Sequence, residues 1–276
     1  MIGVSFKGRL GNQLFQYVFI QYLKSRNKGK IIFPPNPHHA YLTKYFNLNS
    51  SLDNRLLGSK LFSVITRCLP KIIPFKEVYI QGFVNPKHLT PKNFTIYHGY
   101  YQTDWYYNQM LEKPKISIKK KYVDTFLQEF GEVFKTEKTI VVHIRRTDYL
   151  TYGKRDISLP IEYFKDQLEA IENLNTYKVF FVSDDIEFVR AAFTEQPNFI
   201  YSTNDEITDF QLIMNADISI ISNSSFAWWA AFLSTKKTLT IAPKNWIGFR
   251  IGAEHPKQIM TNKFSWKEVL ISKKPE

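Results

Sequence analysis

The stretch "TIVVHIRRTDYL", Thr139–Leu150, decides how this chain is read. Its opening "TIVVHI" is a near-continuous apolar run, as expected of a parallel strand covered on both faces. Two arginines then stand side by side, with an aspartate two positions later. Alternation along the strand puts His143 and Arg145 on one side and Arg146 on the other. Arginine keeps its charge in proteins, so ending a buried strand on two of them without anionic partners would be very costly. The stretch predicts a central strand whose C-terminal end meets negative charge.

The sequence around it alternates regularly. "LPIEYFKDQLEAIENL" reads as a helix, with Pro160 placed for a first turn. "YKVFFVS" reads as strand, "IEFVRAAF" as helix, "NFIYS" as strand, "DEITDFQLIMNA" as helix, "DISIIS" as strand, "SSFAWWAAFLS" as helix and "KTLTIAP" as strand. Such alternation predicts right-handed βαβ units in a doubly wound parallel sheet. The first half opens the same way. "MIGVSF" leads through "KGRLGNQ" into a helix in which Leu14/Phe15, Val18/Phe19 and Tyr22/Leu23 recur every four residues. Gly29 stands where a C-cap would, and "KIIFP" resumes as strand. That unit predicts a second Rossmann-like domain. Residues 34–54 read as loop, "RLLGSKLFSVITRCL" as a short basic amphipathic helix, and "HGYYQTDWYYNQML" as an aromatic segment of no assigned structure. The expected division gives domains 1–133 and 134–276. Two such α/β domains with parallel sheets facing a central cleft would bind ligands where strand C-termini meet helix N-termini.

The chain has 276 residues, 44% of them apolar and 22% charged, the balance of an ordinary globular protein. A lone cysteine, Cys68, excludes an internal disulfide and a cysteine-based zinc site. No signal peptide is visible at "MIGVSF", and no run reaches the roughly 18–20 apolar residues of a membrane span, so the expected compartment is the cytoplasm. The formal net charge of +12 suits an anionic partner. No zinc-finger, RRM or basic-helix signature points to nucleic acid. Basic residues gather in "KPKISIKKK" and, with no acid among them, from Asn54 to Lys76. The second cluster suits peripheral contact with an anionic membrane on its inner face, or an ordinary solvated helix face.

Three loops carry unusual chemistry. In "HIRRTD", guanidinium forks match phosphate oxygens; the structural reading pairs Arg146 with Asp148 or another carboxylate. In "SNSSFAWW", Ser222, Asn223, Ser224 and Ser225 form a turn and N-cap, where free N–H groups suit phosphate, though one serine suffices for capping. In "GRLGNQ", Gly8 and Gly11 permit close backbone approach or merely a tight turn, and the amides of Asn12 and Gln13 could face the cleft. "FFVSDD" ends a strand at Ser183, Asp184 and Asp185, where a carboxylate can accept from a guanine or cap the next helix. No D-x-D or H-E-x-x-H occurs, and the closest histidines are His38/His39 in a proline-rich loop, so no metal is expected.

Together these residues resemble the bacterial α-1,2-fucosyltransferases, within a wider group that includes α-1,6- and protein O-fucosyltransferases. The pattern H-x-R-R-x-D matches His143, Arg145, Arg146 and Asp148; G-x-x-G-N-Q matches Gly8, Gly11, Asn12 and Gln13. "GYYQTDWYY" and "DFQLIMNADISIISNSSFAWWAA" extend the likeness to about residue 250. The resemblance implies a GT-B fold, GDP-fucose as donor, inversion at the anomeric carbon and no metal or other cofactor. It implies that Arg145 and Arg146 engage the diphosphate, with Arg145 nearest the leaving oxygen, and that Asn12 helps position the fucose or the bridging oxygen; the catalytic candidates are Arg145, Asn12 and, by residue type, Asp148. Donor binding would fall to Gly8, Gly11, His143, Arg146, Asp184 (on guanine), Ser222, Asn223, Ser224, Ser225 and Phe226. Acceptor contacts would come from Tyr101, Gln102 and Trp105, on a galactose-terminated oligosaccharide or lipid-linked glycan. Asp148, His143 and Glu162 are the general-base candidates by type. The rival readings are a GT-B transferase using another nucleotide sugar, such as GDP-mannose, and a non-catalytic nucleotide- or polyanion-binding protein.

Overall fold

The computed structural model describes residues 1–27, 31–35, 42–48, 51–236 and 239–271; Gly29 and the His38/His39 pair lie outside the described residues. The chain forms two compact units, Met1–Lys121 with His255–Ile259, and Tyr122–Glu254 with Met260–Glu276.

The first unit runs β1 (Ile2–Val4), α1 (Leu10–Arg26), β2 (Ile32–Phe33), α2 (Leu42–Tyr45), β3 (Phe46–Asn47), α3 (Ser51–Leu57), α4 (Lys60–Ile72), β4 (Lys76–Tyr79), β5 (Thr95–His98), α5 (Trp105–Asn108) and β6 (Ser117–Ile118). Its main sheet is parallel, in the order β2-β1-β5-β4. Helix α1 is buried almost all round, from Leu10 to Leu23, which explains the density of its apolar residues. Three expectations change here. Residues 34–54 are not simply loop: they include α2 and β3, and β3 pairs antiparallel with β6. "RLLGSKLFSVITRCL" breaks into α3 and α4 at Gly58–Ser59, where the Ser59 hydroxyl caps α4 by accepting the Phe62 N–H at 3.3 Å. The aromatic segment supplies the end of β5 and all of α5.

The second unit runs α6 (Lys120–Thr136), β7 (Lys138–Ile144), α7 (Ile161–Glu169), β8 (Tyr177–Ser183), α8 (Ile186–Ala192), β9 (Phe199–Tyr201), α9 (Glu206–Asn215), β10 (Ile218–Ile221), α10 (Ser225–Phe232), β11 (Leu239–Pro243) and β12 (Ser265–Lys267). All six strands are parallel, ordered β12-β11-β10-β7-β8-β9. Read from the β9 edge in order of appearance, this is 3-2-1-4-5-6, the Rossmann order. One face of β7 sends Ile140, Val142 and Ile144 into a core with Phe164, Leu168 and Phe181. The other face of the sheet is covered in part by α6, whose Phe134 ring lies 5.3 Å from Phe180. Because α6 packs this way, the units divide between Lys121 and Tyr122, near the start of that helix, and not at 133/134 near its end.

Candidate active site

In a 3-2-1-4-5-6 sheet the strand order reverses between strands 1 and 4, and the crevice beyond their C-terminal ends is where such folds take ligands. Here those strands are β7 and β10. Their following loops are "RRTD" and "SNSS", two of the three loops singled out in the sequence.

The loops are tied together by side chains. His143 Nδ1 and Ser222 Oγ are hydrogen-bonded at 2.9 Å, and the Ser222 N–H donates to the His143 carbonyl at 3.0 Å. Tyr149 OH donates to the Asn223 carbonyl at 3.2 Å, and Asn223 Nδ2 donates to the Ile157 carbonyl at 2.8 Å. Burial, with the Arg145 charge second, pushes the His143 imidazole down to about 3. It is therefore neutral at physiological pH and too weak a base to take a hydroxyl proton there.

Each arginine has carboxylate partners. Arg145 forms ion pairs with two of them, its Nη2 lying 2.7 Å from Asp148 Oδ1 and its Nη1 3.1 Å from Asp184 Oδ2, and its side chain is 16% exposed. Arg146 turns the other way, onto the Phe188 ring at 3.5 Å from its centroid, with Nε 3.3 Å from Asp185 Oδ2. Of the two options for Arg146, Asp148 or another carboxylate, the second holds: Asp185 serves Arg146 while capping α8 through the Phe188 N–H at 3.4 Å, and Asp148 serves Arg145. Asp184 accepts the N–H groups of Arg146 at 2.9 Å and Thr147 at 3.2 Å, and also the Thr147 hydroxyl. Burial alone would raise its pKa, but these bonds and the Arg145 charge outweigh it and hold the carboxyl below its ordinary value. Asp184 is committed to shaping the loop.

Donor capacity for an anion remains. A guanidinium carries five N–H groups, and Arg145 meets its two carboxylates through its two terminal nitrogens. Ser224, the N-cap of α10, makes no side-chain cap hydrogen bond, so its hydroxyl does not occupy the helix's first N–H groups. Among the described residues Asn223 Oδ1 is buried with no hydrogen-bond partner. Phe226, in the first turn of α10, lies beside the His143 ring at 5.9 Å. Glu162, in the first turn of α7, is exposed. No group of three His, Cys, Asp or Glu among the described residues is placed to hold a metal ion. A cavity of about 440 Å³ bordered by Lys165, Leu174, Phe193 and Phe199 opens at the N-terminal end of the strands, away from these loops.

The first unit repeats the logic with weaker charges. Its order β2-β1-β5-β4 reverses between β1 and β5. Gln16, missed in the sequence, joins the two following loops: its Oε1 accepts the Lys7 N–H at 2.9 Å and its Nε2 donates to the Gly99 carbonyl at 3.3 Å. A glutamine among the apolar residues of α1 was the available signal. Gly8 has φ +84°, and a Cβ there would sit 2.9 Å from Asn12 Nδ2, so the turn holds glycine for both reasons. Gln102 Nε2 donates to Asn12 Oδ1 at 2.8 Å. Gln13 is buried and structural, bonding the Gly8 carbonyl at 3.1 Å and the Leu42 N–H at 3.1 Å; Gly11 is buried in the first turn of α1. Trp105 is half-buried against Tyr22 and His88. Tyr101 departs from expectation. It is 6% exposed and stacked on Phe19 at 3.7 Å, which leaves Tyr100, 39% exposed, as the tyrosine facing solvent.

Comparison with known proteins follows the same lines. The sequence profile of glycosyl transferase family 11 matches residues 1–263. The chain is 27% identical to an alpha-1,2-colitosyltransferase of Escherichia coli, over 87% of this chain and 90% of that protein. It is 22% identical to the galactoside 2-alpha-L-fucosyltransferase Sec1 of Mus musculus, over 88% of this chain and 67% of that protein. Its fold resembles NodZ alpha-1,6-fucosyltransferase co-crystallized with GDP, at a TM-score of 0.52 and 12% identity over 84% and 92% of the two chains. It also resembles the Escherichia coli ADP-heptose LPS heptosyltransferase II, at a TM-score of 0.53 and 11% identity over 96% and 89%. The architecture is that of GT-B glycosyltransferases.

Proposed function

We propose that this chain, which belongs to glycosyl transferase family 11 and is a glycosyltransferase, moves L-fucose from GDP-fucose to the 2-hydroxyl of a galactoside with inversion, in surface glycan synthesis. The observation that carries the reading is Arg145. It sits at the Rossmann switch point, braced by two carboxylates, beside a helix N-terminus that its own N-cap side chain leaves open.

Breaking the sugar–phosphate bond builds positive charge at the anomeric carbon and negative charge on the departing diphosphate. Arg145 donates to the oxygen on which that negative charge grows, and the first N–H groups of α10 hold a second phosphate oxygen. In other glycosyltransferases a metal supplies such charge; here the guanidinium does. Arg146, stacked on Phe188 and paired with Asp185, reaches the diphosphate from the strand's other side. Asp184 and Asp148 are positioning residues that fix the Arg145 fork, and Asn223 presents its buried Oδ1 to the nucleotide. Asn12, set by Gly8 and Gln102, serves the sugar. The acceptor hydroxyl attacks the anomeric carbon as the bond to the diphosphate breaks, and its proton passes late to solvent water, once that carbon is already cationic, so no strong base is needed.

A second reading differs only in the sugar: the 27% identical colitosyltransferase supports colitose in place of fucose. The test is incubation of the purified protein with GDP-fucose and a panel of galactosides, GDP release and product linkage being measured. An α-1,2-fucosylated product supports the proposal; GDP release only with a different nucleotide sugar moves the assignment to that donor.

A further inference from the structure

Helix α4 is built inside out. A domain helix ordinarily buries its apolar stripe and wets its polar one. In α4 the buried residues are Ser63 and Thr66, at 4% and 2% exposure, while Leu61, Val64, Ile65 and Ile72 stand out at 70%, 47%, 50% and 78%. These four follow one another at helical steps and share one stripe with the exposed Cys68. The buried Thr66 is satisfied at home, its Oγ1 donating to the Ser63 carbonyl at 3.2 Å. The apolar stripe is therefore the helix's outer working face.

Charge says what covers it. Lys60, Arg67 and Lys71 line one border of the stripe, and no acid lies between Asn54 and Lys76, a stretch that also holds Arg55. A second copy packed across a twofold axis would bring these like charges together. An anionic bilayer surface satisfies both halves, taking the apolar residues among its acyl chains and the basic ones among its headgroups. No helix among the described residues is long and apolar enough to cross a membrane, so α4 would lie in the interface. We propose that α4 docks this protein onto an anionic membrane surface through Leu61, Val64, Ile65 and Ile72, with Lys60, Arg67 and Lys71 on the headgroups. The proposal stands apart from the catalytic assignment. A glycan acceptor carried on lipid would be presented at that surface.

The test is flotation with phosphatidylcholine vesicles, with and without phosphatidylglycerol, across a salt series. Wild-type protein should float only with the anionic vesicles and lose binding as salt rises. A Lys60→Gln/Arg67→Gln/Lys71→Gln variant should bind roughly a hundredfold more weakly, on the usual effect of one basic residue near such a surface. Leu61→Glu/Ile65→Glu should fail to float while keeping the wild-type melting temperature and turnover on a soluble acceptor. Equal recovery with and without phosphatidylglycerol would overturn the proposal, a result readable on wild-type protein alone. So would a wild-type dimer that Leu61→Glu/Ile65→Glu dissociates, because the stripe would then be covered by a second copy.

Discussion

Arg145 Nη1 lies 3.1 Å from Asp184 Oδ2, and the Asp184 carboxylate also accepts the backbone N–H of Arg146 at 2.9 Å. One carboxylate from the end of β8 thus sets both the fork of one arginine and the backbone path of the next. The loop after β7 is held in shape by the protein's own groups.

Asp184→Asn should keep a similar shape but lose the charge that the loop is built on. We expect destabilisation of about 1–3 kcal/mol, as for a charged acceptor removed from its donors, and a fall in turnover larger than the fall in nucleotide affinity. Because the folded carboxyl is held below its ordinary value, the stability it contributes is present above about pH 3.9 and lost as pH falls through the lower folded value. Urea melts below pH 4 should therefore show wild type losing its advantage over Asp184→Asn. A constant difference down to pH 2 would contradict the role given to Asp184.

His143 acts in a separate pH window. Its folded value is about 3, against about 6.5 unfolded, so between those limits the unfolded chain binds a proton that the folded one refuses. Its contribution to stability is full above pH 6.5 and falls with acidification by up to about 1.4 kcal/mol per pH unit. His143→Gln should be less stable than wild type at pH 7.5 and have a visibly flatter stability profile between pH 6.5 and 4. Parallel profiles for the two proteins would show that His143 titrates normally.

How much of this was legible in the sequence depends on how strongly one residue constrains the next. β7 was clear because a central parallel strand is buried on both faces, and β8 and β10 follow the same rule. β4, with the exposed edge pattern "KEVY", and the three-residue β12 have no such signature and went unread. In "GYYQ" the two tyrosines are chemically identical. A positive φ of 53° at Tyr101 goes with its ring stacking on Phe19, and composition cannot announce that angle. Which carboxylate serves which arginine stayed open for a similar reason. Strand alternation stops at Ile144, and the turn at Arg146 (φ −136°, ψ −63°) gives Asp148 to Arg145.

Gly8→Ala probes the first unit. A side chain at φ +84° costs about 1–2 kcal/mol, and its Cβ, 2.9 Å from Asn12 Nδ2, would push that amide away from Gln102. Thermal melting should show the destabilisation, and turnover in the still-folded fraction should fall severalfold. Wild-type turnover per folded molecule would detach Asn12 from the reaction.

Metal dependence separates Arg145 from a divalent cation as the source of positive charge. Activity should persist in excess EDTA and gain nothing from manganese or magnesium. Turnover lost to EDTA and restored by either ion would move the leaving-group role from the arginine to the metal.

The most direct test is the single-turnover rate and GDP affinity of Arg145→Ala and Arg145→Lys, on protein first shown to be folded by thermal melting. If Arg145 meets charge that grows as the glycosidic oxygen departs, Arg145→Ala should lower the rate on the order of a hundredfold or more. Arg145→Lys should fail nearly as badly, because an ammonium keeps the charge but cannot form the planar fork that now spans Asp148 and Asp184. GDP affinity should change less than the rate in both. A folded Arg145→Ala protein that turns over at the wild-type rate would contradict the account and leave Arg145 a purely structural partner of its two carboxylates.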